Sequence, residues 1–101
     1  MILKQLSTEA EFKQVTGEGT VLVDFFATWC GPCRMLAPEL EKVETVNVVK
    51  VDIDQLQEAT SEHGIMSVPT LMLFQDGKIL GRVSGYMPKE AIDEFVASKL
   101  K

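Results

Sequence analysis

The feature that most narrows the possible folds is a junction. Thr20-Val21-Leu22-Val23-Asp24-Phe25-Phe26-Ala27, a β-branched and aromatic run broken by one charge, gives way within a few residues to Cys30-Gly31-Pro32-Cys33. A continuous rather than alternating apolar run fits a central strand covered on both faces. Pro32 suits the first turn of a helix, where the amide it lacks would have had no partner. The chain therefore passes from a buried strand into a helix, and two cysteines mark the passage. A bridge between residues three apart closes so short a loop that it stabilises little. Two cysteines are also too few for a disulfide-stapled scaffold. The pair needs a chemical explanation.

The remaining pattern builds a sheet around that strand. A short strand is expected at residues 2–5, then a helix starting at Ser7 or Thr8, with Glu11 completing a capping box after Thr8 and Gly17 and Gly19 ending it. The helix after the cysteines is expected to run to about Val43 or Thr45, kinked at Pro38, which removes a backbone hydrogen bond. Residues 46–52 read as a third strand, and Asp54 with Gln57 as the cap of a short third helix that Gly64 closes. Asp76-Gly77, set between apolar runs at 70–74 and 79–83, predicts an antiparallel hairpin. From about Pro88, the residues Ala91, Ile92, Phe95, Val96 and Leu100 form one stripe of a closing helix. The order βαβαβαββα implies an α/β fold, a mixed central sheet flanked by helices on both faces. One domain is expected over residues 1–101, with no repeat or linker.

Composition excludes several classes of function. No apolar run approaches the roughly 18 residues of a spanning helix, and the first residues lack the basic start, apolar stretch and cleavage site of a secretory signal. A cytoplasmic location with no membrane partner is the expectation. A net charge of −5, from 15 acidic and 10 basic residues, repels nucleic acid and anionic lipid.

At the junction, Cys30 should sit at the helix N-terminus, beside free amides and the positive end of the helix dipole. That setting favours thiolate over thiol, and thiolate is the attacking species in disulfide exchange. Two intervening residues keep the second sulfur close enough to displace the first from a mixed disulfide. Two other readings compete. A structural zinc site wants four ligands, and the only further soft candidate is His63, the sole histidine. Inert buried thiols are common, but Gly31-Pro32 and the polar Arg34 favour an exposed turn.

The run Val23-Asp24-Phe25-Phe26-Ala27-Thr28-Trp29-Cys30-Gly31-Pro32-Cys33-Arg34-Met35, followed by Val51-Asp52-Ile53-Asp54, Val68-Pro69-Thr70 and Gly77, resembles the thioredoxin family over essentially the whole chain. The resemblance implies that Cys30 is the exposed nucleophile and Cys33 the buried resolving thiol. The residues agree, because only the first cysteine is at the helix end and the second is screened by its own turn. Asp24, expensive to bury as an anion among Val23, Phe25 and Phe26, should have a raised pKa and exchange a proton near neutral pH. It is similar to the family carboxylate that assists deprotonation of the resolving cysteine, and Lys50 to the lysine near that carboxylate. Without the resemblance, Asp24 could equally cap a loop and Lys50 could be a solvated edge residue.

Pro69 matches the family's cis proline facing the cysteines. In that arrangement the Val68 backbone pairs with an extended client segment by strand addition, which tolerates many side chains. Trp29, Gly31, Pro32, Val68, Gly85 and Tyr86 match positions framing the apolar contact surface for partner proteins. The implied activity is reduction of client-protein disulfides through a redox-active Cys30–Cys33 disulfide, with no bound cofactor and no metal. The implied recycling partner is a flavin-dependent, NADPH-fuelled thioredoxin reductase, and the chain is expected to be a monomer. The competing class is a thioredoxin-fold adaptor whose partners use the surface and not the redox chemistry.

The chain departs from the family pattern at named places. Phe26 replaces a second Trp found in many bacterial members, and Arg34 replaces a commoner lysine. Ser84 replaces an apolar residue that often frames the substrate groove, and Met66 a residue often basic. The stretch from Cys33 to Lys50 is several residues short, which implies a truncated second helix or connection.

Overall fold

A computed structural model describes residues 3–101. Its centre is β2 (Thr20–Phe26), buried from Val21 onward. Around it run β1 (Leu3–Gln5), α1 (Glu9–Thr16), α2 (Gly31–Glu41), β3 (Asn47–Asp52), α3 (Gln57–Glu62), β4 (Thr70–Gln75), β5 (Lys78–Ser84) and α4 (Lys89–Lys99). This is the expected order. The part of the first expected strand that falls on Ile2 lies outside the described residues.

The sheet order is β1-β3-β2-β4-β5, with β2 parallel to β3 and antiparallel to β4. Successive side chains of a strand face opposite ways, and β2 divides accordingly. Val21, Val23 and Phe25 join Phe12 of α1 and Leu56 and Ala59 near α3 in one core. Leu22 joins Leu36 and Leu40 of α2 and Ile92 and Val96 of α4 in another. Helices thus cover both faces, and Asp24, two residues from Leu22, falls on the α2 side. Burial on both sides is why the run at 20–27 does not alternate in polarity.

The caps hold in part. Thr8 accepts the Glu11 amide at 3.1 Å, while Glu11 Oε1 accepts the Ser7 amide at 2.8 Å, so the box closes one residue early. Asp54 does not cap α3. The N-cap there is Leu56, which makes no side-chain cap bond. The carboxylate of Glu9, from α1, accepts instead from the amides of Glu58 (2.8 Å) and Ala59 (3.0 Å). An anion suits these free amides whichever segment supplies it, and an acceptor 49 positions away leaves no local motif to read. Gly64, at φ +60°, follows the end of α3 as expected.

Helix α2 ends at Glu41, earlier than expected. Lys42 and Val43 close it with tight turns onto Glu39 and Leu40, and Val43 and Val46 drop into the core. The short connection leaves no length for a further turn. Glu39 then accepts the Lys89 amide at 2.9 Å and Thr45 donates to Asp93 at 3.2 Å, tying this end of α2 to α4. On α4 the stripe buries Ile92 and Val96, while Leu100, already at the C-cap, is exposed.

The hairpin joins β4 and β5 through Asp76 (φ +50°) and Gly77 (φ +84°). Two consecutive left-handed residues give the twist a two-residue turn needs, which explains the Asp-Gly pair. Its tip grips the α1–β2 turn. Gly19 donates to Asp76 Oδ1 at 2.8 Å, Asp76 donates back to the Gly19 carbonyl at 2.9 Å, and Gly77 donates to Thr16 at 3.0 Å.

Candidate active site

The cysteines sit at the opposite pole, where the carboxyl ends of β2 and β3 lie side by side with Phe26 opposite Asp52. Cys30 is the N-cap of α2 in extended backbone (φ −97°, ψ 114°), with Gly31 and Pro32 opening the helix. Its sulfur accepts the Cys33 amide at 3.2 Å. A helix-end amide aimed at this atom stabilises negative charge on it. Cys30 and Cys33 are joined as a disulfide, with Cα atoms 5.3 Å apart.

Exposure does not separate the two sulfurs in this oxidised state. Each cysteine is 5% exposed, packed with Phe26 and Ala27 against Ile53 and Val68. The expectation of a visibly exposed Cys30 is therefore not met in the disulfide form, where Phe26, Ala27, Ile53 and Val68 pack around the pair. Position separates them instead, because Cys30 alone occupies the cap. Cys30 Sγ also lies 3.7 Å from the carbonyl oxygen of Val68. The Val68–Pro69 peptide is cis, and Pro69 is buried.

Asp24 is fully buried, and neither carboxylate oxygen has a hydrogen-bond partner among the described residues. Burial pushes its pKa up from 3.8 to about 7, against a smaller downward pull from the Lys50 charge. Lys50 is its register partner on β3. It is half-buried rather than a solvated edge, and its Nζ lies 4.5 Å from the Phe26 ring centroid. Phe26 thus places an aromatic face under a cation.

Trp29 is 66% exposed, and its indole Nε1 donates to Asp54 at 3.0 Å. The role of Asp54 was not legible locally. Its signal is topological, since parallel neighbours bring the residues just past β3 beside those just past β2. Trp29 shares an open cleft of about 290 Å³ with Ile53, Ile65, Met66, Ser67 and Val68. Met66, at 94% exposure, is almost wholly open to solvent. Of the expected contact residues, Trp29 and Val68 line this cleft, while Gly31 and Pro32 lie in the first turn of α2. Gly85, at φ +99°, donates its amide to the Pro69 carbonyl at 2.8 Å, tying it to the same loop. Tyr86 is exposed next to Gly85 but is not part of the cleft wall.

His63 packs among the rings of Phe12, Phe25 and Phe74, on the sheet face away from α2. It does not join the cysteines. Among the described residues no cluster of three or more histidine, cysteine or acidic side chains could hold a metal, and no helix is long and apolar enough to cross a membrane.

The thioredoxin family model matches residues 3–98. A thioredoxin of Listeria monocytogenes is 48% identical over 94 residues, covering 88% of this chain and 91% of that protein. A thioredoxin of Bacillus subtilis is 42% identical over 99 residues, covering 93% and 95%. The crystal structure of Malassezia sympodialis thioredoxin superposes with a TM-score of 0.86 at 34% identity, covering 98% of this chain and 95% of that one. Agreement of sequence and fold from the first strand to the closing helix means that the chain belongs to the thioredoxin family and is a thiol-disulfide oxidoreductase, a protein-disulfide reductase acting through a redox-active disulfide.

Proposed function

We propose that the chain, as one domain over residues 1–101, carries two electrons from the dithiol of Cys30 and Cys33 to client disulfides, with Cys30 as nucleophile. The observation that carries this assignment is the Cys30 sulfur capping α2, where the Cys33 amide meets it at 3.2 Å. Thioredoxins are themselves a standard case of the rule that a helix-end CxxC lowers the thiol pKa. In the reduced protein the Cys30 thiolate attacks one sulfur of the client, forming a mixed disulfide and expelling the other client sulfur as a thiolate that takes a proton. Cys33 passes its proton to Asp24, and the resulting thiolate attacks Cys30 Sγ. The Cys30–Cys33 bond forms, and the second client thiol leaves.

Asp24 is supported as the proton acceptor by a pKa of about 7 on the sheet face under α2, and Lys50 tunes it from the facing strand. The client docks along Val68 and Pro69 in the cleft beside Trp29, flanked by Gly31, Pro32, Gly85 and Tyr86. Main-chain pairing makes the clients diverse. A thioredoxin reductase drawing on NADPH through a flavin returns the dithiol, the protein needs no bound cofactor, and it acts as a cytoplasmic monomer. Trapping tests the assignment. Cys33→Ser should accumulate covalent client adducts on Cys30, and Cys30→Ser should not; adducts on Cys33 instead would overturn it. Insulin reduction by dithiothreitol distinguishes the reductase from an adaptor, which would not accelerate it.

A further inference from the structure

The loop at 65–68 lies between α3 and β4 and carries the Val68 carbonyl that faces Cys30. Strand β5 holds this loop at both ends. At its start, Arg82 donates from Nη1 to the His63 carbonyl at 2.8 Å and from Nη2 to the Gly64 carbonyl at 3.3 Å. These carbonyls belong to the end of α3, where a cation is favoured. At the other end the buried Thr70 hydroxyl donates to the Ser67 carbonyl at 2.7 Å and lies 2.8 Å from Ser84 Oγ. Thr70 and Ser84 are register partners on β4 and β5. A hydroxyl has one proton, and that of Thr70 is committed to Ser67. Ser84 must therefore be the donor to Thr70, giving a directed chain from Ser84 through Thr70 to the Ser67 carbonyl.

We propose that Arg82 and Ser84 are positioning residues for client docking, fixing from β5 the two ends of the loop that presents Val68. An apolar residue at 84 could line a groove but could not orient the Thr70 hydroxyl, so the serine here exchanges a contact for a hydrogen bond. This inference rests on the reading of Val68 as the client-docking backbone.

Its test uses Arg82→Ala, Ser84→Val and the conservative Ser84→Thr in the full chain, with both positions exposed enough to leave the core intact. Three readouts are taken: KM and kcat for insulin with dithiothreitol recycling, iodoacetamide alkylation of reduced Cys30, and backbone amide NMR shifts of residues 65–68. Each disruptive variant should shift those amides and raise KM about five-fold, the scale of one net hydrogen bond. The kcat and alkylation rate should hold, and Ser84→Thr should restore KM. Unmoved amides with unchanged KM would overturn the positioning role, as would a raised KM with unmoved amides or a slowed alkylation. Shifted amides with unchanged KM would show instead that the docking reading of Val68 is at fault.

Discussion

Asp24 is the residue whose chemistry reaches furthest. Unfolded, it titrates near 3.8, and folded, near 7. Between those values the folded state binds the proton more strongly, so stability falls as pH rises from about 4 to about 7 and is level beyond. At ~1.4 kcal/mol per pKa unit the total is about 4 kcal/mol. Asp24→Asn should abolish this slope, so that its advantage over the parent in urea denaturation is small near pH 4 and full near pH 8. A gap independent of pH would mean that the carboxyl ionises in the fold at its ordinary pKa, with no shift from burial. Lys50→Met, which removes the charge pulling Asp24 down, should move the carboxyl titration seen by carbon NMR to higher pH. The burial and raised pKa of Asp24 were legible in the sequence because a lone acid in an apolar strand has few outcomes. The partner of Trp29 was not, since Asp54 meets it only after two parallel strands align.

Among the elements, α2 links core and chemistry, since its cap carries Cys30 while Leu36 and Leu40 anchor its inner face. Leu36→Ala should destabilise the protein by about 2–5 kcal/mol in denaturant unfolding, the range for a buried leucine. Helix α3 depends on a borrowed cap. Glu9→Ala should cost about 1–2 kcal/mol and speed hydrogen exchange at the Glu58 and Ala59 amides, leaving those of α2 unchanged. Element identity was readable throughout from periodicity and turn residues. Ends were less so where tertiary contacts decided them, as when the seating of Val43 and Val46 halted α2 at Glu41, or when Glu9 displaced Asp54 as the cap of α3.

Across the whole molecule the central position of β2 sets the order of opening. It is paired on both edges and covered on both faces, whereas β5 is an edge strand with exposed Lys78, Ile79 and Arg82. Native-state hydrogen exchange should be slowest at the amides of residues 22–26 and faster along β5; equal protection of the two would contradict a core built around β2. A mixed sheet with helices on both faces followed from the alternation of strands and helices together with the hairpin, whereas the strand order β1-β3-β2-β4-β5 came only with the structure. The mutual grip of Gly19, Asp76, Gly77 and Thr16 was invisible, being a contact between two turns distant in the chain.

That grip makes the far end of the sheet a natural handle. A linker or label joined to the exposed Lys78 would sit a full strand length from the sulfurs. Molecules fixed to an electrode by that end would present their redox couple outward to whatever is in solution.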